Sequence, residues 1–65
     1  MSIQEHCARY GVTIRELKSK TRITPVVKAK KSICLDLWRR GWFQHEIAQV
    51  INTTQQNVSY LISNN

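Results

Sequence analysis

Three amide side chains stand in a row at Gln55, Gln56 and Asn57, and Ser59 and Tyr60 follow at once. A Gln or Asn carboxamide offers a donor beside an acceptor, which matches the major-groove edge of adenine. The opening residues of a recognition helix are the ones that reach base edges. These five residues are therefore candidates for base contacts, and the chemistry they suggest is reading rather than bond making. A second group has the opposite character. Lys18, Lys20, Arg22, Lys28, Lys30 and Lys31 follow one another with no acid between them. From Phe43 onward there is no Lys or Arg, and Glu46 is the sole charge. Cations grip phosphates while neutral polar groups read bases, so Lys20, Arg22, Lys28, Lys30 and Lys31 are candidates for the backbone or minor groove. The hydroxyls of Thr54 and Ser63 join them as phosphate contacts. The alternative is an ordinary solvated basic face.

Other chemistry finds less support. His6, Cys7, Cys34 and His45 could in principle ligate zinc. Two of the four are adjacent, and no Cys-x-x-Cys or His-x-x-x-His pair occurs, so no metal site is expected. Glu5, Glu16 and Glu46 belong to separate short segments, which offers neither paired carboxylates nor a nucleophile elbow. The chain reads as a non-enzyme without cofactors. His6 reads as an ordinary polar position and His45 as a surface residue.

Composition agrees with a nucleic-acid partner. Ten Lys and Arg against four Asp and Glu leave a net charge of +6 on 65 residues, a balance that favours polyanions. No run of about 18 apolar residues is present, which speaks against a membrane span. Met1-Ser2-Ile3-Gln4-Glu5 shows no basic region leading into an apolar one, hence no secretory signal. A cytoplasmic location follows, with Cys7 and Cys34 as free thiols packed like small apolar groups.

The elements that must position these residues are all helical. Residues 1–65 are expected to form a single domain of four to five helices, with a helix-turn-helix at the C-terminal end. Ile3 to Tyr10 carries an apolar face and stops at Gly11. Thr13 and Glu16 form a capping box for a short second helix, roughly Thr13 to Lys18, with Val12 and Leu17 as its staple. A basic loop runs to Thr24, which is expected to cap the longest helix with Pro25 at its first position. Val26, Ala29, Ile33 and Leu37 mark that helix's buried stripe, widened by Cys34 and Trp38. Gly41 ends it. Trp38, Trp42 and Phe43 are expected to fill the corner with the next helix, an exposed partner patch being the alternative.

The helix-turn-helix itself spans Gln44 to Ile62. Ile47 and Ile51 share one face of its first helix, and Val58 and Leu61 form the inward face of its second. Ala48 falls where the helices cross. Asn52 stands at the sharp turn, where a left-handed backbone is expected, and Thr54 is placed to cap the second helix.

The order of these parts resembles the C-terminal DNA-binding domain of the bacterial replication initiator DnaA. The resembling segments are Ala8-Arg9-Tyr10-Gly11-Val12-Thr13, Glu16-Leu17-Lys18-Ser19-Lys20-Thr21-Arg22, Lys28-Ala29-Lys30-Lys31 and Glu46-Ile47-Ala48. The resemblance implies that the basic loop sends an arginine into the minor groove, with Arg22, or failing that Lys20, at the matching position. The family's reading helix opens with Arg-Asp-His-Thr-Thr-Val, whereas Thr54-Gln55-Gln56-Asn57-Val58 stands here, after a turn one residue shorter. A different target sequence is therefore implied. No Gly-x-x-x-x-Gly-Lys loop is present, so no ATPase step is expected.

Two function classes follow. The first is a sequence-specific binder of double-stranded DNA that regulates transcription or replication, of a size that suits a phage or mobile-element regulator. The second is a small module that binds a host replication or transcription protein. Ile62, expected to be exposed near the C-terminus, leaves room for a homodimer.

Overall fold

A computed structural model describes residues 2–63. It is all helix: α1 (Ile3–Tyr10), α2 (Ile14–Leu17), α3 (Thr24–Arg39), α4 (Gln44–Val50) and α5 (Gln55–Ser63), with no strand among the described residues. All five helices contribute to one apolar core. Cys7, Val12, Leu17, Val26, Ala29, Ile33, Cys34, Leu37, Ile47, Ala48, Ile51, Val58 and Leu61 are buried together. α3 lies at the centre, packed against each of the other four. At about 1.5 Å per residue it runs for about 24 Å, close to the 25 Å longest dimension of the molecule.

Local chemistry explains where the helices start and stop. Ser2 with Glu5, and Thr13 with Glu16, build two capping boxes, each satisfying two backbone N–H groups. Three stops share one motif. Gly11 (φ 68°), Gly41 (φ 91°) and Asn52 (φ 55°) take the left-handed backbone. The N–H groups of Val12, Trp42 and Thr53 then donate back to the carbonyls of Cys7, Leu37 and Ala48, closing the wide bond of a Schellman turn. Asn is the one non-glycine residue used, at the site expected for it.

The start of α3 differs from expectation. Thr24 does not cap it; Ile23 precedes the helix, and its carbonyl accepts from both Val26 and Val27 N–H. No side chain caps this end. Pro25, with no N–H of its own, reduces the need for one. Trp38 is also displaced from its expected place. It follows Leu37 by one residue, a rotation of about 100°, which carries it off the buried stripe and leaves it 44% exposed. Lys30 takes a place in the stripe instead: it lies four after Val26 and three before Ile33, and is only 9% exposed. Trp42 and Phe43 are exposed as well, so the rings do not fill the corner. Ile62 is half-buried against the core rather than free.

Both cysteines are free thiols inside the core. Burial pushes the Cys34 thiol up to about 12, with nearby Lys30 opposing, and Cys7 shifts upward for the same reason. Each packs as an unreactive small apolar group.

Candidate nucleic-acid interface

A cleft of about 730 Å³ opens between the basic loop and the start of α5. One wall is the loop, with Ser19, Lys20, Thr21 and Arg22; the other is the α4–α5 turn and α5, with Asn52, Thr53, Thr54, Asn57 and Tyr60; Lys30 lines it from α3. Two segments far apart along the chain thus face one another. Three cations line the cleft and no acid does.

The loop owes its shape to its hydroxyls. Ser19 Oγ donates to the Glu16 carbonyl at 2.6 Å and accepts from Thr21 N–H, while Thr21 Oγ1 accepts from Ile23 N–H. These are local side-chain to backbone bonds that fix a segment lacking helix or strand. Ser19 and Thr21 are half-buried, whereas Lys20 and Arg22, alternating with them, are exposed. Two further bonds tie the loop to the rest of the molecule. Lys30 Nζ donates to the Ser19 carbonyl at 2.8 Å, and Asn52 Nδ2 donates to the Lys18 carbonyl at 3.2 Å. Those carbonyls follow α2, beyond its last turn, where no helical N–H would reach them.

Helix α5 is capped at its N-terminus. Thr54 Oγ1 accepts from Asn57 N–H at 3.1 Å, the cap expected of it, and Asn57 Nδ2 donates to Thr53 Oγ1 at 2.9 Å. Val58 and Leu61 turn inward. With residues about 100° apart around the axis, Gln56, Tyr60 and Ser63 occupy the middle of the outward face, and all three are exposed. Gln55 is exposed and Ser59 half-exposed on one flank of that face; Asn57 is on the other, toward the cleft.

The sequence-derived residues do not all converge. Lys20, Arg22, Lys30, Thr54, Asn57 and Tyr60 line the cleft. Lys28 and Lys31 do not line it; Lys28 is exposed on the outer side of α3 and Lys31 half-buried. Lys30 differs from a free surface cation, because its stem is buried and its ammonium tethers the loop, the behaviour of a snorkelling lysine. Its burial could have been found from its spacing to Val26, Ile33 and Leu37.

A second polar network lies outside the cleft. His6, expected to be an ordinary polar residue, is 4% exposed. Its Nε2 lies 2.9 Å from Asp36 Oδ2, and its Nδ1 lies 2.9 Å from Ser32 Oγ. The carboxylate can only accept, so Nε2 carries the proton and Ser32 donates to Nδ1 in the neutral ring. Arg40 Nε donates to Asp36 Oδ1 at 3.2 Å. The His6 hydrogen bond, supported by Arg40, holds the Asp36 carboxyl below the usual carboxylate range. The order Ser–His–Asp is that of a hydrolase triad, yet Ser32 sits on the flank of a continuous helix. Backbone N–H groups there are engaged in helical bonds, which leaves no paired donors to stabilise an oxyanion. The network pins α1 to α3. Its signal in the sequence is the spacing Ile3–His6–Tyr10, three then four residues.

Among the described residues no group of three or more His, Cys, Asp or Glu could hold a metal ion, and no helix is long and apolar enough to cross a membrane. Comparison of the chain with protein-family models, with characterised proteins and with solved structures finds no match.

Proposed function

We propose that the chain is a sequence-specific binder of double-stranded DNA that regulates transcription or replication in the cytoplasm. The observation that carries this reading is the cleft: an acid-free loop with Lys20 and Arg22 faces the capped start of a neutral, amide-rich helix. A strand of duplex is negative along its whole length, and its bases are accessible only in the grooves beside it. With Gln55 and Gln56 in the major groove, the loop lies toward the phosphates and the adjacent minor groove, where Arg22 meets the negative potential of narrow A·T tracts. The likeness of the Glu16–Arg22 step to the replication initiator's DNA-binding domain supports the same place for Arg22. Lys28 and Lys31 add general attraction from outside the cleft.

Selection of binding sites from random duplex DNA tests the reading. A single recurring motif is expected, bound with an affinity that falls steeply as salt rises. Replacing Lys20 and Arg22 by Ala should flatten the slope of log affinity against log salt by about 0.9 for each phosphate no longer neutralised. Enrichment of no motif, with only salt-insensitive binding left, overturns it. The second reading, a module docking on a host protein, draws on exposed rings at the far end of α3.

A further inference from the structure

Ile23 is the most exposed large aliphatic side chain among the described residues, at 61% against 38% for Ile14. Isolated surface hydrophobes are ordinary, so exposure alone assigns it nothing. Its place in the chain is what is unusual. Ile23 stands at the N-cap of α3 and makes no side-chain bond to the helix. Aliphatic residues rank last at that position, where a hydroxyl or amide oxygen would accept a free helical N–H. Helices α1, α2 and α5 follow the preference with Ser2, Thr13 and Thr54. Helix α4 also starts after an apolar residue, but there Glu46 reaches back to the Phe43 N–H. Helix α3 has no acid in its first turn. The Ile23 side chain thus serves neither the core nor the helix start. A local rule broken without structural return is expected where function requires the residue.

The backbone beneath it is held from both sides. Ile23 N–H donates to Thr21 Oγ1 at 3.4 Å, and its carbonyl accepts from the Val26 and Val27 N–H groups, each at 3.0 Å. Branching at Cβ stiffens the side chain further. A fixed apolar group is therefore offered to solvent directly after Arg22, beside the cleft that Arg22 and Val27 line.

On the proposed function, on which this inference rests, Arg22 faces the minor groove. The groove walls are sugars and phosphates, and the broad apolar surface of a duplex lies between its stacked bases. Proteins reach that surface from the minor groove with Ile, Leu, Met, Phe or Pro, which part a base step and kink the duplex toward the major groove. We propose that Ile23 is such a wedge, entering a base step next to the Arg22 contact and bending the DNA. A bend in that direction closes the duplex on α5, which the proposed function places in the major groove. The step entered is a pyrimidine–purine one, because such steps unstack most readily. Sequence is then read where Ile23 forms no hydrogen bond at all.

The probe is the duplex site recovered by selection, carrying dyes at its two ends for energy transfer and a fluorescent adenine analogue, quenched by stacking, at each adenine in turn. Saturating parent protein should brighten the analogue at one step and shorten the end-to-end distance, with a bend of roughly 20–90°. Ile23→Ser, equally saturating, should do neither. Its melting temperature should match or exceed the parent's, because serine caps the helix, so the loss is not unfolding. Ile23→Leu should keep both signals. Changing the entered step to purine–purine should weaken the parent about tenfold and Ile23→Ser much less. A parent that binds its site on a straight, fully stacked duplex overturns the wedge and leaves the DNA-binding reading standing; no site-selective binding overturns both. A bend by Ile23→Ser equal to the parent's also overturns the wedge. A dimer in sedimentation that Ile23→Ser dissolves would overturn it in favour of self-association.

Discussion

Gln55 and Gln56 are exposed at the start of α5 and contribute nothing to the buried set, whose α5 members are Val58 and Leu61. Gln55→Ala and Gln56→Ala should therefore keep helical content and thermal stability, and on the proposed reading keep salt-dependent binding to random DNA. What should vanish is preference for the selected site, by roughly 1–3 kcal/mol for each bidentate pair removed. Variants that discriminate as well as the parent would remove α5 from the role of reader. Asp36 makes a different residue-scale prediction. Its carboxyl titrates below its unfolded value, mainly through the His6 hydrogen bond, and Glu5 shifts the same way through the Ser2 N–H. A depressed folded-state pKa stabilises the fold above the unfolded pKa, and the gain fades as pH falls through the folded one. The melting temperature should decline on acidification below about pH 4, and Asp36→Asn should be less stable at neutral pH with a shallower acid decline. An identical acid profile in both would mean that the pin between α1 and α3 does not titrate.

At the scale of elements, Asn52 links two roles that can be separated. Its left-handed backbone closes α4, and its amide holds the Lys18 carbonyl. Asn52→Gly keeps the turn and removes the tether, so stability should change little while, on the proposed function, affinity for DNA drops. Asn52→Val should additionally cost on the order of 1–2 kcal/mol for the strained backbone, measurable by urea unfolding. Ala48→Leu, overpacking a buried core position of α4, should cost about 1–3 kcal/mol. Comparable stability of Asn52→Val and Asn52→Gly would dismiss backbone strain as the reason for this residue. The features legible in the sequence were those written within a few residues of themselves. The Thr13–Glu16 box, the stops at Gly11 and Gly41, the turn at Asn52 and the Thr54 cap all depend on close neighbours in the chain. Those that escaped depend on rotation around a long helix or on a distant element. Whether Trp38 or Lys30 joins the stripe of α3 is decided by about 100° of turn. The burial of His6 requires Ser32 and Asp36, and the convergence of Lys20 with Thr54 requires the whole fold. The order of charges along the chain groups the cations between Lys18 and Lys31 but could not say that Lys28 would not line the cleft.

On the scale of the whole molecule, charge and apolar character are sorted between regions. Every Lys and Arg precedes Gly41, while α4 and α5 carry Glu46 as their single Asp or Glu and no Lys or Arg. Grip and reading, on the proposed function, thus come from different halves of the chain that meet at the cleft. The bond from Asn52 to the Lys18 carbonyl joins those halves, while the one from Lys30 to the Ser19 carbonyl ties the loop to α3 within the first. Such a lock acts as a ruler. The distance between the stretch of duplex met by Arg22 and the bases met by Gln55 and Gln56 would be built into the protein. One base pair inserted between them would shift the second contact by about 3.4 Å along the axis and by roughly a tenth of a turn around it. A flexible basic tail would follow that shift; a tethered loop does not. Sites lengthened by a single pair should therefore lose most of their affinity, and a full helical turn of added DNA should not restore it, because the loop cannot stretch. Asn52→Gly, with the tether cut, should tolerate the insertion better than the parent, so that loosening the loop trades strength on the correct spacing for tolerance of the wrong one.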